Sequence, residues 1–431
     1  MSKSYIVKGG DTLSAISTRQ YGLAGKWVLI KNANPQLVGR KTAVDGSPLI
    51  YPGDILIIPD DEKPTASVSA SMPEGTVPSV LDDGAEQDIT ILIDGKAFTG
   101  FSGYTISMSV DSFDAFSFSA PFDDTVKNYR AAFRPFTYKQ CSVYYDKKLL
   151  FNGTLLTPNP EVDADKKTIT LQGYPACGCV NEVCLPETKY PPEYNGMKLG
   201  EIAKDCCGPF GFGVSIDGEE GAAFEKVEYS PGDTLFNFIK KLCEQRGLII
   251  TNKPNGDLLL WQPKKEKVCA TIKEGEEPFL SCKPSFDSQK FFSHITGFSK
   301  VENEEDADHY TYENKLLTKA GVLRPFTFVA DDATSTDLQN AVEAKAGRMF
   351  ASAASYELKV IGHKTPKGDL WQKNMAISLL APGAMIYRET VFLVDNVTIQ
   401  RSDSDGNVTT LKLVLPGARD GSLPEEFPWE E

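Results

Sequence analysis

The stretch Ile106-Ser-Met-Ser-Val-Asp-Ser-Phe-Asp-Ala-Phe-Ser-Phe-Ser-Ala120 alternates apolar with small polar residues on both sides of Asp111-Ser112. A period of two sends every second side chain to one face, so the stretch predicts two half-buried strands around a turn. The same period extends outward. Ile89, Ile91 and Ile93 alternate up to Asp94-Gly95, a dipeptide suited to a two-residue hairpin turn, and Lys96-Ala-Phe-Thr99 follows. Further strands are predicted at Gln140 to Tyr145, Leu149 to Leu155 and Thr168 to Gln172. Several short strands with regular turns predict a barrel-like domain.

Residues 175 to about 263 change character. Met197, Leu199, Ile202, Ala203 and Cys206 fall near helical spacing and stop at Gly208-Pro209. Ser230-Pro-Gly-Asp-Thr234 then caps a helix with Leu235, Phe236, Phe238, Ile239 and Leu242 on its apolar side. Gly247 to Thr251 and Asp257 to Trp261 form a hairpin around Asn255-Gly256, giving a small α+β domain inserted between β regions. Beyond it, strands are predicted at His294 to Phe298, Ala376 to Leu380, Thr390 to Val394 and Thr409 to Leu415, with a helix from Asp337 to Tyr356. Leu149 to Thr157, a turn at Asp163-Ala-Asp165 and Thr168 to Leu171 share a layout with Val391 to Gln400, a turn at Asp403-Ser-Asp405 and Val408 to Leu413. Two related β domains explain this weak repeat, and so does a shared hairpin habit.

Towards the N-terminus, Asp60 to Gln87 has no aromatic residue and three prolines among Ser, Ala and acidic residues, the composition of a flexible tether. It separates a module of about 59 residues with the order strand, helix, helix, strand. Ser4 to Lys8 alternates, Asp11 or Thr12 caps a first helix, a second runs from about Lys26 to Pro35, and Pro52-Gly-Asp54 turns into Ile55-Leu-Ile-Ile58.

The composition bounds the function. The chain has 431 residues, enough for two to four domains, with 41% hydrophobic residues and a formal charge of -14, which argues against a sequence-independent nucleic-acid binder. No signal-peptide core and no run of about 18 apolar residues is present, so synthesis in a cytoplasm and no membrane span are expected. Nine cysteines do not form a secreted disulfide pattern. Cys177-x-Cys179, Cys184 and Cys206-Cys207 lack the spacing of a zinc site, and Cys206 is expected to be a buried structural residue rather than a nucleophile. Only His294, His309 and His363 are present, without an HExxH helix, a Walker loop or a dinucleotide fingerprint. Neither catalytic residues nor a cofactor nor a metal is expected. The acidic runs Glu302 to Asp308 and Glu425 to Glu431 are taken as solvated surface.

Residues 1–59 resemble a LysM domain at Tyr5-x-Val7, Gly10-Asp-Thr-Leu13, Ile16, Tyr21-Gly22, Trp27, Ile30, Ala33-Asn34 and Ile50-x-Pro-Gly-Asp-x-Leu-x-Ile-Pro59. The resemblance implies a βααβ fold and a groove for N-acetylglucosamine-containing glycans such as peptidoglycan. That groove would involve Gly10, Asp11, Thr12, Leu13, Asn34, Pro35, Ile50 and Tyr51. The turns need Gly10, Asp11 and Pro52-Gly53 for folding as well, and LysM-like modules also serve as docking units in phage baseplates.

From Ile89 to Ala418 the chain resembles the baseplate hub proteins of contractile-tailed phages, of the Mu and late-control D type. The resemblance rests on the order of Ile91-x-Ile-Asp-Gly-Lys96, Val110 to Ser119, Arg134-Pro135, Leu149-Leu-Phe-x-Gly-Thr154, Leu199-x-x-Ile-Ala203, Ser230 to Phe236, Arg246-Gly247, Arg324-Pro325, Gly362-His363 and Gly368-x-Leu-Trp-x-x-Asn374. It implies a structural, non-enzymatic homotrimer in the virion's tail baseplate, assembled in the host cytoplasm. Two tube-like β domains per subunit would adapt a sixfold tail tube to a threefold central spike. The implied partners are the tail tube protein, the spike, baseplate wedge proteins and, through the LysM resemblance, peptidoglycan, with DNA passing through an acidic lumen without specific binding. The expected fold is thus α+β and multidomain: a LysM module at 1–59, a linker at 60–87, a first β-barrel-like domain at 88–175, an α+β insert at 176–280, a second β-barrel-like domain at 281–418 and an acidic tail at 419–431. The hub of a phage-derived injection machine, a secreted peptidoglycan-binding adaptor and a muralytic enzyme are the alternatives.

Overall fold

The computed structural model describes residues 3–21, 27–37, 40–41, 47–58, 89–98, 101–122, 130, 133–163, 167–264, 266–299, 308–330, 335–402, 406–418 and 427–430. Two compact units result, Met1–Ser67 and Val68–Glu431. The tether expected at 60–87 and most of the acidic run at 302–308 lie outside the described residues. Among the described residues, no helix is long and apolar enough to cross a membrane.

The N-terminal unit has the order β1 (Lys3–Ile6), α1 (Leu13–Tyr21), α2 (Trp27–Asn32), β2 (Ile55–Ile58). The strands pair antiparallel, with Ile6 opposite Ile55 and Lys3 opposite Ile58. Alternation sends Leu56 and Ile58 inward onto Leu13, Ile16, Ile30 and Leu37, while Ile6, Ile55 and Ile57 are exposed on the other face.

The second unit is mostly β and multidomain, with a few helices. It opens with β3 (Ile89–Ile93), β4 (Lys96–Phe98), β5 (Gly103–Ser109), β6 (Ala115–Pro121), β7 (Gln140–Tyr145), β8 (Lys148–Val162) and β9 (Lys167–Pro175). Asp94 and Gly95 both take positive φ, 48° and 75°, which matches the twist of the β3–β4 hairpin.

The middle region contains β10 (Glu193–Met197), α3 (Leu199–Cys207), β11 (Val214–Asp217), β12 (Phe224–Glu228), α4 (Leu235–Gln245), β13 (Ile249–Asn252) and β14 (Leu258–Trp261). The Thr234 side chain accepts from Asn237 N and caps α4, as its place before the apolar stripe predicts. β13 and β14 form the expected hairpin, and β11 joins β14 in parallel. The hairpin tip rests on β8: Asn152 Nδ2 donates to Asn255 O at 3.0 Å, and a Cβ on Gly256 would lie 2.5 Å from Asn152 O.

The chain then returns to strands: β15 (Val268–Lys273), β16 (Phe279–Phe286), β17 (His294–Ser299), β18 (His309–Glu313), α5 (Lys315–Lys319), β19 (Pro325–Ala330), α6 (Ser335–Ala353), β20 (Ala354–Ile361), β21 (Ala376–Ala381), β22 (Ile386–Ser402) and β23 (Gly406–Val414). β17, β18 and β19 form a small separate sheet, onto which α6 packs through Leu338 and Val342 beside Ile295.

Four expectations change here. The two β regions are not separate barrels but one 13-stranded sheet in the order β16-β20-β23-β22-β5-β6-β9-β8-β7-β3-β4, with β21 and β15 branching from β22. The cause is the length of β22. Its first half pairs with β21, and Asn396 to Arg401 pair with β5, so one core runs through both regions. The second region also starts before 281, because β15 pairs in parallel with β21. The helix expected to reach Tyr356 stops at Ala353, since the next residues alternate and Tyr356 and Leu358 point into the core of β20. The acidic C-terminal run is not simply solvated. Phe427 is buried and stacks on Trp429 at 4.5 Å, and Arg388 Nη2 donates to Phe427 O at 3.1 Å, because two aromatics outweigh the acidic residues around them.

The hairpins β8–β9 and β22–β23, where the repeat falls, share one irregularity. Register slips between Leu155 and Thr157 in the first and between Val394 and Asn396 in the second.

Candidate functional site

The eight N-terminal candidates divide by their surroundings. Leu13 is fully buried in the module's core. Asn34 is also fully buried: Nδ2 donates to Ile30 O and Ile57 O at 2.6 and 2.7 Å, and Oδ1 accepts from Ile57 N at 2.8 Å. Asp11 accepts from Lys8 N at 2.9 Å and from Tyr5 OH at 2.8 Å and pairs with Arg19. The Lys8 amide and the Arg19 guanidinium hold the Asp11 carboxyl down at about 2. Thr12 caps α1 by accepting from Ala15 N at 3.1 Å. Gly10 takes φ 85° in the turn before α1. Pro35, Tyr51 and Gly10 are exposed and Ile50 is half-buried. Arg40 pairs with Asp54 and lies over the Tyr51 ring at 5.6 Å. Residues 1–59 carry seven Lys and Arg against three Asp and no Glu, so the acidic excess of the chain lies in the other unit.

A second constellation, absent from the sequence reading, ties the large unit together. Lys373 Nζ lies 2.7 Å from Asp114 Oδ1 and donates to Thr251 Oγ1 at 2.7 Å. Asn252 Nδ2 donates to Asp114 Oδ2 at 3.0 Å, and Thr251 donates to Ser109 O at 2.9 Å. First region, insert and second region thus meet at one buried carboxylate. Burial pushes the Asp114 carboxyl up, while Lys373 and Asn252 pull against it. Nearby, His363 is buried, with Nε2 3.1 Å from Tyr104 OH and Nδ1 3.1 Å from Thr409 Oγ1, another link between the two β regions.

The thiols do not form a reactive site. Burial raises the Cys206 thiol to about 11, and it sits 3.1 Å from Tyr194 OH, so the thiolate a nucleophile needs is not favoured. Among the described residues, no group of three or more His, Cys, Asp or Glu could hold a metal.

Comparison with known proteins accounts for an architecture of this kind. Residues 187–262 match the family model described as baseplate hub protein gp44-like, second domain. Over 337 residues, 75% of this chain and 87% of the relative, the sequence is 22% identical to the baseplate hub protein gp44 of Escherichia phage Mu. The chain is thus similar, over most of its length, to gp44-like phage baseplate hub proteins. The hub family to which these matches belong is structural and non-enzymatic, so they lend the muralytic alternative no support. The fold of the chain is also similar to that of the 43 kDa tail protein of prophage MuSo2 from Shewanella oneidensis. The TM-score is 0.66 at 20% identity, covering 77% of this chain and 99% of that one. A tail protein from Neisseria meningitidis MC58 gives 0.65 at 19% identity, covering 78% and 98%. The family match falls wholly outside the N-terminal unit of the chain.

Sequence reasoning missed the latch because its members lie far apart in the chain. Asp114 sits in the turn of the opening stretch and Lys373 just before β21, and alternation carries no record of which turn meets which loop. The Gly362 to Asn374 stretch quoted for the family was the available signal, and Lys373 lies inside it.

Proposed function

We propose that the hub protein works as a homotrimer that adapts a sixfold tail tube to a threefold central spike. The observation that carries this reading is the pair of β8–β9 and β22–β23 hairpins with the same register slip, set in one sheet. Three copies then present six similar units, which lets threefold symmetry imitate sixfold symmetry at one face. The tube protein, the spike and the wedge proteins are the partners this role calls for, and the acidic excess of the large unit suits a lumen through which DNA slides without sticking. Light scattering on the full chain tests the core of the reading. A mass three times the 47.2 kDa monomer is expected, and a monomer at high protein concentration would count against it.

The N-terminal unit is proposed to be a LysM-like module that docks the hub onto a neighbouring baseplate protein. Leu13, Asp11 and Asn34 are committed to its own fold, which leaves few of the glycan candidates available, whereas Ile6, Ile55 and Ile57 form an exposed apolar face. The competing role is peptidoglycan binding. Full-length protein and a variant lacking residues 1–59 should be equally poorly retained by purified sacculi. Retention of the full-length protein alone would assign the module to glycan instead.

A further inference from the structure

The two β regions are built alike, but only one has its neighbour in place. In the second region, the segment before β21 docks onto the β5–β6 turn through Lys373 and Asp114, and beside it β5 adds to β22. The segment before β7 holds the same position in the first region. Lys139 O accepts from Leu155 N at 2.8 Å, as Met375 O accepts from Val394 N at 2.8 Å. The residues just before, Tyr138 and Asn374, both have positive φ, 47° and 66°. Residues 134–139 are therefore the counterpart of the Lys373 segment. Phe136 is 87% and Tyr138 65% exposed, and Phe136 also has φ 58°. Bulky side chains avoid this left-handed backbone, so the loop holds two rings in solvent in a strained conformation. Beside it, residues 157–162 of β8 have no strand on the side away from β9 among the described residues. Pro158 and Pro160 there lack N–H groups, so backbone pairing can hold that edge only in part.

Strand order identifies the missing neighbour. The series β5-β6-β9-β8 corresponds to β16-β20-β23-β22, so the equivalent of the β5–β6 turn is the place where β16 ends and β20 begins. A cavity of about 280 Å³ opens there, lined by Phe286, Asp287, Phe350, Met385, Phe427 and Trp429 among others. Phe286 and Met385 are 45% and 44% exposed at this site. Asp287, which also holds Lys290 at 3.2 Å, takes the place that Asp114 has in the filled counterpart. Six strands separate β16 from β8 in the sheet order, so the occupant is a second copy of the chain.

We propose that Phe136 and Tyr138 of one copy insert into the cavity at the end of β16 in the next, with Arg134 meeting Asp287. Each copy carries one insert and one cavity on different surfaces, so the contact is heterologous and closes into a ring. This rests on the trimeric reading above and adds the surfaces that make it.

The test uses two variants of the full chain. Phe136→Asn with Tyr138→Asn removes the rings with a residue that tolerates positive φ, and Met385→Lys puts a cation at the cavity mouth against Arg134. Each variant alone should fall from trimer to monomer with its circular-dichroism spectrum unchanged, while its melting temperature drops because association no longer stabilises the fold. Mixed, they should form a one-to-one pair, since one intact insert still faces one intact cavity. A trimeric wild type whose variants stay trimeric, or whose mixture stays monomeric, overturns the proposed surfaces and leaves the trimer standing. A wild type that is itself a monomer overturns both.

Discussion

Replacing Lys373 by Ala should cost on the order of 3 to 5 kcal/mol, among the largest losses of any single side chain in the protein. The Asp114 carboxylate would keep its burial and lose the cation 2.7 Å away, while Thr251 loses a donor. Unfolding in urea measures the loss. Joint replacement by Lys373→Met and Asp114→Leu should be far milder, because an apolar pair leaves no stranded charge. The pH response follows from the direction of the Asp114 shift. Without Lys373, the folded-state pKa stands still further above the unfolded one, so the folded protein binds a proton more readily. The destabilisation should therefore be full above that raised value and shrink as the pH falls through it. A loss below about 1 kcal/mol, or one that grows in acid, would show that the latch is not what joins the three regions.

Gly153→Ala should be at least as damaging. Its Cβ would fall 1.9 Å from Tyr174 O and 2.7 Å from Pro175 Cα, both backbone atoms of β9 directly across from β8. Neither can swing aside as a side-chain tip would, so the β8–β9 ladder has to open where the core is continuous. We expect a loss beyond about 4 kcal/mol, seen as failure to give soluble protein or a collapsed urea midpoint. Gly208→Ala is the control. Gly208 lies at the end of α3 with φ -49°, and nothing stands within 4 Å of the added carbon, so its change should stay within about 1 kcal/mol. Equal tolerance of both substitutions would refute the steric argument.

What the sequence made legible was local. Asp94-Gly95 announced its hairpin because a two-residue turn with positive φ leaves few chemical choices, Asn255-Gly256 because the turn between β13 and β14 needs a positive φ that Gly256 supplies, and Thr234 announced α4 because a cap must precede an apolar stripe. Partner choice was not legible. The pairing of β5 with β22, the parallel entry of β11 beside β14 and the branch of β15 from β21 all depend on contacts that alternation does not encode. The same limit shaped the N-terminal candidates. Asp11 and Asn34 occupy the positions that the LysM resemblance marks for glycan, yet the turns draw on the same polar groups, and only the hydrogen bonds separate the two uses. Phe136 and Tyr138 carried no sequence signal beyond the adjoining Arg134-Pro135, because strain in φ is invisible until the backbone is seen.

The junction of β5 with β22 also sets a schedule for synthesis. Ser109 pairs with Asn396, about 290 residues later, so a ribosome adding roughly 5 to 20 residues per second leaves the edge of β5 unpaired for on the order of 15 to 60 seconds. The insert around α3 and α4 has its own core and emerges during that interval, whereas the first β region waits for the last tenth of the chain. The nascent chain is therefore exposed to edge-to-edge association while it is being made, and its yield should depend on chaperone supply and on translation speed more than the stability of the finished sheet suggests.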